Sequence, residues 1–276
     1  MRSRTDWKCR GCVKVPDPYI EVIVDGLLFQ ANREYDPYQI GYLMNGWWGW
    51  REGPEVKSGE TQWEDADGGY IDDPLFGGRD LEFSGIMRGR DEAHLHQMME
   101  ALGAVLTTGD RVGSLVVREQ LLKLERRVSV RRGGRPVMKQ VSETLATWSA
   151  QFTSSEWRRV HVTESNVTLS TSGSNVQNIG NAEAVTILDM RGPLNAGVGI
   201  DWPGGSWRYS LPIASGKRVL VYMDERLVAE AGSSDRSRGA VGGSGNWLYL
   251  PPGTTKVTRV GGGSGNMLLR WRHSWS

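Results

Sequence analysis

Hydrophobic and polar positions alternate with a period of two through most of the chain and switch to a helical period once. In "YIEVIVDGLLFQA" two short apolar runs flank Asp25-Gly26, a dipeptide that seeds tight hairpins, so residues 19–31 are predicted to form one. "RDLEFSGIM" sets Leu81 and Phe83 against Asp80, Glu82 and Ser84, the pattern of a strand with one buried face. In "RDEAHLHQMMEALGAVL", Leu95, Met98, Met99, Leu102, Val105 and Leu106 recur at three- and four-residue steps, and Asp91 stands where an N-cap belongs. That segment predicts one helix, covering a sheet. "LLKLERRVSVRRGGRPVMKQV" reads as a second hairpin with its turn at Gly133-Gly134. Leu122, Leu124, Val128 and Val130 share one face and Lys123, Glu125, Arg127, Ser129 and Arg131 the other. "TLATWSAQFTSS" adds another alternating strand. Residues 41–70, rich in Gly and Trp and without periodicity, read as loop with short edge segments.

Residues 157–174 are polar and rich in Ser and Thr, and the domain boundary is placed within them. Beyond it, short strand candidates follow one another between Gly, Pro, Asn and Ser turns, from "AVTILDM" to "MLLRWRHSW", without a helical pattern. Such spacing predicts a β-sandwich or jelly roll. "GSGN" introduces a strand twice, at Asn246 and Asn266, and Pro251-Pro252-Gly253 interrupts the ladder between them. The last three strands are therefore expected to form a meander. The division that results is an N-terminal extension over 1–18, a first domain over 19–157, a linker over 158–174 and a β-sandwich over 175–276.

Composition narrows the function. The 276 residues exceed the usual size of a single core, 38% are hydrophobic, and 36 are Gly. No run of about 18 uncharged apolar residues is present, so no membrane insertion is expected. "MRSRTDWKCRGC" is basic but leads into no apolar stretch, so a secretory leader is not expected. Lys and Arg total 33 against 32 Asp and Glu, a net charge of +1, which disfavours general nucleic-acid binding.

Motifs for chemistry are sparse. Cys9 and Cys12, in "CRGC", are half of a four-ligand zinc set and are the weak metal candidates; His94, His96, His161 and His273 lack the spacing to complete it. Asp65, Asp67, Asp72 and Asp73 crowd one segment, but the twelfth position of a calcium loop starting at Asp65 is Phe76. A solvated, turn-rich loop accounts for them. The Gly-Lys of "ASGKRV" lacks the rest of a phosphate loop, and no Gly-x-Ser-x-Gly elbow occurs. The expectation is a protein without catalytic residues or cofactor. Two readings of the twelve tryptophans stay open. Trp47, Trp48, Trp50 and Trp63, with Arg127 and Arg131, are candidate subunit contacts; Trp202, Trp207 and Trp247 are candidate glycan platforms. Arg127, Arg131, Arg132, Arg135 and Lys139 form a basic hairpin face, suited to solvent or to a neighbouring subunit.

The order of these elements has a counterpart. The first hairpin, "DGGYIDDPLFGGRDLEFSGIM", a helix opening "GRDEAHLHQMMEAL" and a strand closing on "WSAQFTSSEW" resemble the N-terminal domain of distal tail proteins of long-tailed, non-contractile bacteriophages. "NIGNAEAVTILDMRGP", "YLPPGTTKV" and "LLRWRHSW" resemble the galectin-like jelly roll that follows in that family. The resemblance implies a β-barrel or sandwich-like ring-forming domain, one covering helix and a jelly roll. It also implies a homo-hexameric ring joining the tail tube protein to the tail-tip hub protein. Tape measure and receptor-binding or other minor tail proteins would be neighbours, and DNA would cross the lumen without specific binding. The location implied is the distal end of the virion tail, after assembly in the host cytoplasm. The His-x-Asn-x-Arg sugar signature of galectins is missing. A carbohydrate-binding adhesion module remains the alternative expectation.

Overall fold

The computed structural model describes residues 18–32, 36, 38–57, 60–62, 69–71, 75–107, 112–230 and 246–276. The chain divides into two compact units, Met1–Trp157 and Arg158–Ser276. Strands dominate both, and one helix occurs among the described residues.

The first unit comprises β1 (Pro18–Val24), β2 (Leu27–Asn32), β3 (Gly41–Trp48), β4 (Val56–Lys57), β5 (Glu60–Gln62), β6 (Gly69–Ile71), β7 (Leu75–Phe76) and β8 (Arg79–Arg88). After these come α1 (Glu92–Ala104), β9 (Gly113–Glu119), β10 (Leu124–Arg132), β11 (Val137–Ser142) and β12 (Leu145–Ser154). Seven strands close a barrel in the order β12-β8-β3-β2-β1-β9-β10, with β10 meeting β12 through Arg131↔Thr153 and Arg132↔Phe152. The β1–β2 hairpin is as expected. Asp25 and Gly26 both take left-handed φ, 49° and 85°, the geometry whose twist suits a two-residue hairpin loop. Alternate residues of each strand point inward: Val22 and Val24, Leu81 and Phe83, Leu115 and Val117, and Trp148 and Phe152 are all buried in one core.

The predicted helix is present, with the Asp91 side chain accepting from the His94 N–H at 2.8 Å. It presses Leu95, Met98 and Leu102 into the barrel core. Tyr42 Oη donates to the Met98 carbonyl at 2.6 Å, tying helix to barrel, and burial pushes the Tyr42 hydroxyl up to about 12.

Two expectations for this unit are corrected. Residues 41–48, expected as loop, are β3, a barrel strand between β2 and β8; a bulge between Met44 and Gly46 breaks the alternation that would have marked it. Gly133-Gly134 does not turn the chain back. β11 continues in the direction of β10 along the same edge of β12, so the true turns lie between β9 and β10 and between β11 and β12. At the β9–β10 turn Lys123 adopts a left-handed φ of 52°, and Leu122, expected inside, is 58% exposed.

The second unit contains β13 (Arg159–His161), β14 (Ser165–Thr168), β15 (Ser174–Asn178), β16 (Ala184–Arg191), β17 (Val198–Trp202) and β18 (Gly205–Tyr209). Its remaining strands are β19 (Arg218–Tyr222), β20 (Leu227–Glu230), β21 (Tyr249–Leu250), β22 (Gly253–Val260), β23 (Asn266–Trp271) and β24 (Ser274–Trp275). One sheet runs β14-β23-β16-β19-β20, with β21 beside β16; the other runs β15-β22-β17-β18. Leu188, Met190, Val221 and Leu269 from the first meet Val176, Val198, Ile200 and Val257 from the second in one core, which makes a sandwich. Residues 158–174 therefore carry three sandwich-unit strands or strand starts rather than a bare linker: β13 pairs with β24 and β14 with β23. The expected terminal meander is also corrected, since β22 and β23 lie in opposite sheets and the chain crosses between them.

Asp189 is 1% exposed and holds this sandwich electrostatically. Arg218 Nε and Nη2 donate to its two oxygens at 2.8 and 2.7 Å, and Arg191 Nη2 donates at 3.1 Å. Burial works to raise its carboxyl, but the hydrogen bonds from Arg218 and then Arg191 outweigh it and hold the group below the ordinary value of 3.8. A carboxyl depressed by folding contributes stability above its unfolded value and loses it as pH falls through the folded one. The melting-temperature gap between wild type and Asp189→Asn is thus expected to shrink between about pH 5 and about pH 3. A gap that stays constant across that window would contradict the assignment.

Candidate functional site

The end of the barrel where β3 stops gathers the aromatic and charged residues singled out above. Gly49 has a φ of 80°, and a Cβ there would stand 1.8 Å from the Asp80 carbonyl oxygen, so only glycine lets the chain turn this close to β8. The turn drops Trp50 into the core at 1% exposure. Arg79, itself buried, fastens the turn: Nη1 donates to the carbonyls of Gly49 at 3.3 Å and Glu52 at 2.6 Å, and Nε to that of Trp157 at 2.9 Å. Burial depresses the Arg79 guanidinium and the charge of Glu52 works against that.

Two cation–aromatic layers complete this end. Arg126 lies 5.7 Å over the Trp50 ring and Arg51 5.0 Å over that of Trp47. Glu119 joins them, accepting from the buried Arg126 and, at 3.4 Å, from Arg51. Trp50 is thereby a core residue and is not available as a subunit contact. Trp47 is half-buried against the core, and Trp63 lies outside the described residues.

Trp48 differs from both. Its pairing with Glu82 puts it on the outer face, where it is 63% exposed. The same row continues across β12, because Glu82 pairs with Gln151, whose Nε2 donates to Glu82 Oε2 at 3.4 Å. The next row holds Asp80, Thr153 and Arg131. Together Trp48, Asp80, Glu82, Gln151 and Thr153 border a cleft of about 450 Å³ that Gly133, lacking a side chain, leaves open. Asp80 and Glu82 were read from sequence only as the polar face of a strand. Their alternation was visible, but their meeting with Trp48 required the strand order.

Arg127 and Arg131 stand on the outer face of β10, the first partly buried and the second exposed, and the run continues through Arg135 to Lys139 on β11. Arg132 departs from this face: Nη1 donates to the Gly103 carbonyl at 3.0 Å, at the C-terminal turn of α1, where a cation is favoured.

The glycan candidates separate in the same way. Trp207 is fully buried, stacked 6.4 Å from Tyr209, and has no face for a sugar. Trp202 and Trp247 are partly buried against the same core. His161 and His273 approach to 6.1 Å between ring centroids, and burial, then the charge of His161, holds His273 below its ordinary value. Cys9 and Cys12, Asp65, Asp67, Asp72 and Asp73 lie outside the described residues, and among the described ones no three His, Cys, Asp or Glu side chains are grouped to hold a metal ion. No described helix is long and apolar enough to cross a membrane.

No protein-family model matches the chain, and no curated protein matches it in sequence. Among solved structures it is similar to the SPP1 Dit (gp 19.1) protein, described as a paradigm of the hub adsorption apparatus in phages infecting Gram-positive bacteria. The two share 15% identity over 85% of this chain and 93% of that one, with a TM-score of 0.66. It also aligns with a chain of the phage P2 baseplate in its activated conformation with Ca, at 7% identity, 91% and 97% coverage and a TM-score of 0.42. The fold of the chain is that of the Dit protein, through both units.

Proposed function

We propose that this chain is a structural protein of a bacteriophage tail tip, an adaptor that forms a hexameric ring between the tail tube and the tail-tip hub. The observation that carries the reading is the fold shared with SPP1 Dit across 85% of the chain, barrel and sandwich together. A ring needs head-to-tail contacts whose rotation closes, and a barrel with exposed apolar and charged residues on separate strands offers two such faces. The near-balance of charge, +1 overall, suits a conduit through which DNA slides, since each firm phosphate contact adds affinity.

On this reading the protein is not an enzyme. Its partners are further copies of itself, the tail tube and hub proteins and, at the periphery, tape measure and receptor-binding or other minor tail proteins. It resides at the distal end of the virion tail after assembly in the host cytoplasm. The sandwich is galectin-like and acts as an outward arm for host attachment or for holding other tail proteins.

Native mass measurement with negative-stain imaging of the purified chain tests the proposal. The expected species has six times the chain mass and appears as a ring with an open centre. A monomer that persists on concentration and binds cell-wall glycans would instead support the adhesion-module alternative, with Trp202 and Trp247 as its remaining carriers.

A further inference from the structure

Strand pairing lines up one continuous outward surface across β3, β8, β12 and β10. Residues opposite each other in a ladder point to the same side, so Trp48, Glu82 and Gln151 form one outward row and Asp80, Thr153 and Arg131 the next. Neighbouring strands lie about 4.8 Å apart, which puts the Cα atoms of Asp80 and Arg131 about 10 Å from each other. The first row and Asp80 border the cleft of about 450 Å³, and a second hollow of about 370 Å³ is lined by Ser129 and Arg131. Thr153 lines both, so the two hollows make one groove. A Cβ at Gly133 would stand 3.2 Å from Thr153 Cγ2, in the middle of that groove, and glycine keeps it open.

The chemistry of the walls selects the occupant. A cation drawn to Asp80 and Glu82 meets Arg131, and an anion drawn to Arg131 meets two carboxylates. Asp80 and Arg131 are both exposed, and neither is ion-paired with another described residue. A neutral ligand dense in hydroxyls uses both signs at once. Its O–H groups donate to the carboxylates, its oxygens accept from the Arg131 guanidinium, and the Gln151 amide and the Thr153 and Ser129 hydroxyls serve either way. Trp48, exposed at the rim, adds a flat apolar surface that matches the C–H face of a sugar ring. Each hollow has the size of a small-molecule site, about 300–1,000 Å³, and two in series fit a chain of sugars better than one.

We infer that this groove binds a linear neutral oligosaccharide, with one sugar ring on Trp48 and the chain running past Thr153 toward Arg131. The site is distinct from the tryptophans of the sandwich. It does not rest on the ring reading, and either can fail without the other.

The test titrates the full chain with neutral glucose and galactose oligomers of one to four units by isothermal titration calorimetry. Arginine amide and tetragalacturonate are the cationic and anionic probes. At least one neutral tetramer is expected to bind about tenfold more tightly than its monomer, since only a chain reaches both hollows. That binding should change little between about 0.05 M and about 0.5 M sodium chloride, because the ligand carries no charge. Trp48→Ala is expected to weaken it about tenfold. Arg131→Ala should weaken the tetramer and leave the monomer unchanged. Melting curves check that each variant is folded, and native mass of the same samples reads the ring separately. If no neutral oligomer binds, or only a charged probe does, the site is overturned. If Trp48→Ala binds the tetramer like the unaltered chain, the sugar is held elsewhere and the site is likewise overturned.

Discussion

Trp207→Ala is expected to lower the stability of the second unit by about 3–5 kcal/mol, the usual range for emptying a buried tryptophan site. The ring is fully buried between the sheets, stacked on Tyr209 and 6.4 Å from Trp247, with Ile200 as its cross-strand partner. Its neighbours come from four-stranded and longer sheets whose hydrogen bonds limit collapse, so most of the cavity would persist. Denaturant unfolding followed by circular dichroism measures the loss, and an effect under about 1 kcal/mol would show that the site is not a packed core position.

Glu119 and Arg126 should show the opposite signs of a buried ion pair. Both side chains are nearly inaccessible, at 3% and 7% exposure. Glu119→Leu or Arg126→Met alone removes one partner of the buried pair and leaves the other charge inside the barrel end, and each is expected to cost about 3–5 kcal/mol. The double change Glu119→Leu with Arg126→Met removes both charges and is expected to restore most of that stability. Arg51, the other contact of Glu119, is 64% exposed and contributes little. Single and double variants compared by denaturant titration form a double-mutant cycle, and strictly additive losses would rule out the coupling.

Much of the fold could be read from the sequence where local chemistry agreed with tertiary need. Asp25-Gly26 marked its hairpin because few dipeptides accept two left-handed residues, and Asp91 marked the helix because an N-cap acts locally. β3 was hidden by Gly41, Asn45 and Gly46, which weaken alternation, and its identity as a strand depends on β2 and β8 beside it. Arg126 occupies an inward position that Glu119, seven residues away across a turn, and the Trp50 ring help to make tolerable. Gly133-Gly134 was misread because glycine permits a reversal without requiring one.

The tryptophans divide along the same line. Trp207 and Tyr209 alternate with Ser206, Arg208 and Ser210, so burial was written in the period, although composition drew attention to stacking instead. Trp47, Trp48 and Trp50 carry no such signal. Trp50 is buried because Gly49 turns the chain and Arg79 anchors the turn from β8, a long-range arrangement that no window around the aromatic cluster contains.

The pairing of the second unit's early strands with its late ones sets a timetable for folding. Ser165 faces Trp271 and Ser174 faces Val257, so β14 and β15 have no ladder within the unit until β22 and β23 exist. The barrel's first hairpin, by contrast, closes from Val24↔Leu27 outward to Pro18↔Asn32, so its pairs lie within one short stretch of chain. Contacts of such long sequence separation form slowly, because the loop must close before they repay its entropy. On the ribosome, the sandwich thus waits for nearly its whole length with strand edges unpaired, and that interval is where aggregation competes with assembly.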